Sequence, residues 1–191
     1  MHSITKTGAT FTTFIYMNKQ EITDSLQSHY HSFIDYMNSL SAEEYAYSYQ
    51  QKWTAGQQLE HIVLCVKPIV QVFSMEPATI EKNFGSTNRA GHTYETLLAE
   101  YEAKLKEGGK APNRYVPETL TADERGMLTE MLAKMINDLC AKIENFTDPE
   151  LDTLCIPHPL LGNLTLREML YNVIYHVQHH QEMTQQNLKN K

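Results

Sequence analysis

Basic charge is scarce in this chain. Sixteen lysines and arginines face 23 acidic residues, a net charge of -7 at neutral pH, and no basic run interrupts that balance. Binding to nucleic acid through phosphate neutralisation is therefore not the expected function. Long apolar runs are missing too. None approaches the roughly 20 residues that a membrane span needs, and the N-terminus lacks the apolar centre of a secretory signal. The expectation is a cytoplasmic protein with neither membrane nor nucleic acid as partner. Cysteine is sparse as well: Cys65, Cys140 and Cys155 are an odd number without CxxC spacing, which suits reduced thiols rather than a disulfide framework. Also absent are a Ser-His-Asp order, a phosphate-cradling glycine loop and a thiol-nucleophile signature.

What remains is helical periodicity. With 191 residues and 41% hydrophobic content, the chain is long enough for one domain, and two would be a tight fit. Residues 1–16 are rich in Thr with Lys6 as their one charge, and read as an N-terminal extension to a single domain over 17–191. Ile22, Leu26, Tyr30, Phe33, Ile34, Met37 and Leu40 recur at three- and four-residue spacing and predict a first long helix. Ser41-Ala-Glu-Glu44 has capping-box spacing and predicts a short helical turn. Thr54-Ala-Gly-Gln57, a second capping box, starts a second long helix through Leu59, His61, Ile62, Cys65, Val66, Ile69, Val72 and Phe73. Pro68 inside it removes a backbone donor and is expected to bend it.

Glycine and proline break the stretch from Glu76 to Pro117 repeatedly, with one helix expected over about Tyr94 to Lys106. A structureless loop of that length would be out of place in a compact domain, so the stretch reads as an ordered crossover. Thr121-Ala-Asp-Glu124 caps a third long helix with a stripe of Met127, Leu128, Met131, Leu132, Met135, Ile136, Leu139 and Ile143. A turn-rich connection through Pro157-His158-Pro159 leads to the fourth, capped by Thr165-Leu-Arg-Glu168. With no convincing strand alternation, the fold class is all-α, a four-helix bundle with a long crossover between its second and third helices.

The chemistry sits in histidine. His176 and His180 are four apart on the fourth helix, sharing a face with Met169 and Val173, so both imidazoles can reach one ion. Buried imidazoles without partners are costly to desolvate. If the second and fourth helices run antiparallel, His61, early in one, meets His176 and His180, late in the other. Three neutral imidazoles with an open position form the pattern of a catalytic metal site. HxxxH alone does not separate that reading from satisfied core histidines. His179 falls about 60 degrees off the shared face and is placed outward. His29 reads as a hydrogen-bonded core histidine, with a fourth ligand or pocket residue as the alternative. Cys65, one turn beyond His61, reads as a core thiol, with approach to the metal as the alternative. Glu60 points away, and Asn172, one turn before His176, is a candidate to hydrogen-bond an imidazole or substrate. His2, His31, His92 and His158 receive loop or solvent-side settings and no chemistry.

Three segments carry a family resemblance: Trp53-Thr-Ala-Gly-Gln-Gln-Leu-Glu-His61; Tyr94-Glu-Thr-Leu-Leu98 with Gly108-Gly-Lys-Ala-Pro112 and Pro117; and His158-Pro-Leu-Leu-Gly-Asn-Leu-Thr-Leu-Arg-Glu168 with His176-Val-Gln-His-His180. Over roughly Met17 to Asn187 the chain resembles the DinB/YfiT-like metalloenzymes. The resemblance implies an up-down-down-up bundle, often a homodimer, with His61, His176 and His180 holding a divalent ion such as zinc or nickel. It implies no DNA binding. Among characterised members of that family are thiol S-transferases that use bacillithiol and a mycothiol-dependent maleylpyruvate isomerase. The leading expectation is a thiol S-transferase-like enzyme acting on a small-molecule substrate, with a low-molecular-weight thiol as co-substrate. A metal-dependent hydrolase and a non-enzymatic bundle with a structural metal or none are the alternatives, and no residue is assigned a catalytic role beyond the metal ligands.

Overall fold

The computed structural model describes residues 16–118 and 121–191. Most of the expected extension lies outside them; its last residue, Tyr16, donates its hydroxyl to the Gly91 carbonyl at 3.1 Å. Four long helices make the frame: α1 (Lys19–Ser39), α3 (Ala55–Val72), α6 (Arg125–Ile143) and α8 (Leu166–Leu188). Between them lie the short helices α2 (Ala42–Ala46), α4 (Pro77–Phe84), α5 (Tyr94–Lys106) and α7 (Asp148–Thr153).

The helix starts are written in the sequence. Asn18, Ser41, Thr54, Thr147 and Thr165 each accept the N3 backbone N–H while the N3 Glu or Gln reaches back, which matches two otherwise orphaned donors reciprocally. The box at Thr121 also forms, but it opens a 3-10 turn over Ala122–Glu124, and α6 follows at Arg125. Helix α3 runs on through Pro68 to Val72.

α1 packs on α6 and α8, and α3 packs on the same two helices. Their inward residues, among them Leu26, Phe33, Leu59, Ile62, Leu132 and Leu170, are 0% exposed, and each such side chain contributes roughly 2 kcal/mol through removal of apolar area from water. The stripe on α6 is narrower than expected. Leu128, Leu132, Ile136, Leu139 and Ile143 are buried, whereas Met127 and Met131 are 57% and 40% exposed, because they sit one residue, about 100 degrees of rotation, before Leu128 and Leu132.

The described residues are mostly helical, in line with the all-α expectation, and one small element is added to it. Cys155–His158 (β1) and Gly162–Thr165 (β2) pair as an antiparallel hairpin, Cys155 opposite Thr165 and His158 opposite Gly162. Four-residue strands with a proline in one of them leave too few positions for an alternation to be read. The hairpin matters because it carries His158 back over α8. Cys65, Cys140 and Cys155 are all free thiols. No single helix among the described residues is long and apolar enough to cross a membrane.

Candidate metal centre

The start of α3 is fixed by the Thr54–Gln57 box and by a close approach at Gly56. A Cβ there would meet the Tyr45 ring at 2.7 Å, so only glycine lets α2 seat its buried tyrosine on this turn. From that fixed start Gln58, His61 and Cys65 follow at spacings of three and four, on one face. The start of α3 meets the end of α8: Asn187 donates to the Trp53 carbonyl at 3.3 Å, and Gln58 bonds His180. The antiparallel arrangement anticipated for His61 with His176 and His180 is therefore present.

The three imidazoles converge through their Nε2 atoms. His61 Nε2 lies 3.3 Å from His176 Nε2, and His180 Nε2 lies 2.9 Å from the same atom; one ligand atom from each residue falls within 4.8 Å of those from the other two. The far side of two rings is tied. His61 donates Nδ1–H to the Tyr115 carbonyl at 2.6 Å, and His180 donates Nδ1–H to Gln58 Oε1. In a neutral imidazole that leaves Nε2 as the lone-pair atom. His176 has one Nε2 proton at most to offer two neighbours, so lone pairs face one another with too few donors among them.

A divalent cation would resolve that excess. With metal–nitrogen bonds of about 2.0–2.1 Å, ligand nitrogens lie about 3.3 Å apart around a tetrahedral ion and about 2.9 Å apart at adjacent corners of an octahedron. The observed separations of 3.3 and 2.9 Å span those values, and the donor set fits the group. Burial holds His61, His176 and His180 below the ordinary histidine range, with the mutual proximity of the rings acting in the same direction for His176 and His180. All three are thus neutral, as a ligand imidazole must be. Outside them, the Tyr115 carbonyl and Gln58 orient the rings as the outer partners of metal-bound histidines do.

The cluster forms the floor of a cavity of about 230 Å³. Its walls include Trp53, Val66, Ile69, Tyr101, Leu105 and Met169. Trp53 lies against His61, with ring centroids 4.9 Å apart, and stacks over His180 at 6.3 Å. Among the described residues no aspartate or glutamate lines the cavity, and Lys110 is the one lysine or arginine there.

Several expectations change. Cys65 is not sealed in the core: it lines the cavity, with Sγ 3.6 Å from His61 Nε2, and burial pushes its thiol up to about 12. His179 is half-buried at the cavity wall, stacked on Tyr175 with centroids 6.0 Å apart, rather than directed outward. His29 hydrogen-bonds the Ser25 carbonyl of its own helix at 2.8 Å and is no part of the cavity. Glu60 points away as expected, accepting the Glu118 N–H at 2.6 Å.

His158 is the clearest omission. It lines the cavity, and its Nδ1 accepts the Leu160 and Leu161 N–H groups, each at 3.2 Å. Burial lowers it to about 4, opposed by a hydrogen bond with the Asn172 side chain. Asn172 thus serves a cavity histidine from a lining position of its own. His92 is also engaged, bonding Glu168 through Nδ1 at 2.7 Å. Gln58 had a sequence signal, one turn before His61 on the same face. The Tyr115 carbonyl had none, because any residue supplies a carbonyl.

Compared with known families, residues 25–184 match the model of the DinB superfamily. No curated protein and no solved structure matches the chain.

Proposed function

We propose that this chain, which belongs to the DinB superfamily, is a divalent-metal-dependent enzyme of thiol S-transferase type. In this reading α1, α3, α6 and α8 form an up-down-down-up four-helix bundle, the crossover runs from α4 to the start of α6, and the working unit is a homodimer. The observation that carries the proposal is the convergence of three Nε2 atoms at the floor of an apolar cavity. A zinc or nickel ion bound by His61, His176 and His180 would lower the pKa of a thiol placed against it and supply a nucleophile at neutral pH.

The chain's own residues do the rest. Gln58 and the Tyr115 carbonyl hold the imidazoles in the tautomer that presents Nε2. Trp53, Tyr101, Ile69 and Leu105 exclude water and take the apolar body of an electrophilic acceptor. Three protein ligands on an open cavity favour a catalytic over a structural ion, since structural sites are closed by a fourth ligand. Hydrolysis is the weaker reading. It calls for a general base beside the attacking water, and no carboxylate lines the cavity among the described residues.

The test is turnover of low-molecular-weight thiols with alkyl halide and epoxide acceptors by zinc- or nickel-loaded protein. Thioether formation that His176→Ala abolishes is the expected result. Ester or amide cleavage without thiol would favour the hydrolase, and absence of both would leave a binding module.

A further inference from the structure

Among the described residues, the lining of the cavity departs from the acidic balance of the chain. Across the whole sequence 23 carboxylates outnumber 16 basic side chains, yet among the described residues no carboxylate lines the cavity and one lysine, Lys110, does. Lys110 differs from its neighbours. Lys104 pairs with Glu107 at 2.9 Å and Lys106 reaches Glu102 at 3.9 Å. Lys110 has no carboxylate within 4.0 Å among the described residues, although its side chain is exposed.

Its place is built. Gly108, at φ +94, ends α5 in a conformation that glycine adopts without strain. Gly109 then donates its N–H to the Lys104 carbonyl at 3.0 Å. A Cβ on Gly109 would lie 2.8 Å from that carbonyl and 3.0 Å from the Leu160 side chain. Two consecutive glycines thus press the chain against the β1–β2 turn and deliver the next residue, Lys110, to the cavity.

We propose that the substrate site takes a small organic anion: an apolar body against Trp53, Tyr101 and Leu105, and a carboxylate or similar acidic group paired with Lys110. The inference rests on the cavity being the substrate site. It concerns the end of the ligand held by Lys110, and the ion at the floor enters it only as a competitor for the acidic group. An ammonium without a carboxylate partner at the edge of an apolar cavity favours an anion over its neutral isostere.

The experiment is calorimetric titration of phenylalkanoates with two- to five-carbon acid chains, against the matching primary amides. It is run on wild type and Lys110→Gln, each with and without zinc. The expected result is that the best acid binds wild type about tenfold more tightly than its amide with or without zinc, and that Lys110→Gln removes the preference in both states. A preference that needs zinc and survives Lys110→Gln would overturn the proposal, because the ion and not the lysine would be taking the acid. Equal binding of acid and amide, or no binding of any acid, would overturn it too. Failure of zinc to bind at all contradicts the metal reading and leaves the Lys110 comparison intact in the zinc-free arm.

Discussion

Helix α8 carries a buried polar constellation at each end, and the two are completed differently. At its start every charge is matched from within the chain. Glu168 accepts Arg89 through both oxygens at 2.7 and 2.6 Å, His92 through its backbone N–H and Nδ1 at 2.8 and 2.7 Å, and the Thr165 N–H at 2.8 Å. Next to it Arg167 is shared by Asp148, Asp152 and the Met17 carbonyl. Toward the end of the helix the Nε2 atoms of His61 and His180 both face that of His176, with at most one proton between them. The first constellation closes on itself and staples the crossover and α7 to α8. The second is left with more acceptors than donors, an excess that a cation would satisfy. A buried polar cluster therefore reads as structure or as site according to whether its donors and acceptors balance.

Breaking the staple should give the largest effect. Glu168→Ala leaves Arg89 and His92 without their shared acceptor and removes the Glu168 half of the α8 capping box, and should cost about 3 kcal/mol of unfolding free energy in a urea titration. Zinc binding by the folded fraction should stay unchanged. Burial pushes the Glu168 carboxyl up, but Arg89 and the surrounding N–H groups outweigh it and bring it to about 2. Its contribution is then fully present above the unfolded carboxylate value and is lost as pH falls from about 4.5 toward 2.

The histidine end should respond in the opposite sense. Gln58→Leu, which frees the His180 ring from its outer partner, should weaken zinc binding by about 10- to 100-fold in a competitive chelator assay. If instead it lowers stability as much as Glu168→Ala and leaves zinc affinity intact, the two ends of α8 are alike and the distinction fails. The smallest effect belongs to His158. Its depressed value of about 4 means that the unfolded chain takes up a proton that the folded chain refuses. Stability should fall as pH drops from about 6.5 toward 4, and His158→Gln should flatten that limb by about 1–2 kcal/mol in zinc-free denaturation curves, allowing for its partial exposure.

Much of this was legible in the sequence, for local reasons. The capping boxes at Ser41, Thr54 and Thr165 and the stripes on α1 and α3 depend on residues three or four apart, so the pattern carries them. The convergence of the histidine trio was legible because HxxxH fixes two imidazoles on one helix face and an antiparallel neighbour supplies the third. What escaped depends on distant pairing. The β1–β2 hairpin is too short to show a period, and α4 and α7 are hidden in proline-containing connections that read as turns. His158 looked like a loop residue because its burial comes from the hairpin folding back over Tyr101, whose ring lies 5.7 Å away. The missing carboxylates of the cavity could not be read at all, since its lining is gathered from segments far apart in the chain.

The proposed binding of one divalent ion by His61, His176 and His180 is open to measurement. Its most direct test is calorimetric titration of chelator-stripped protein with zinc and with nickel, on wild type and on His61→Ala, His176→Ala and His180→Ala, with elemental analysis of the untreated protein. The account predicts one ion per chain for wild type and a loss of more than about 100-fold in affinity for each variant, beyond what an outer partner contributes. Wild type that binds neither metal, or variants that bind as wild type does, would contradict it.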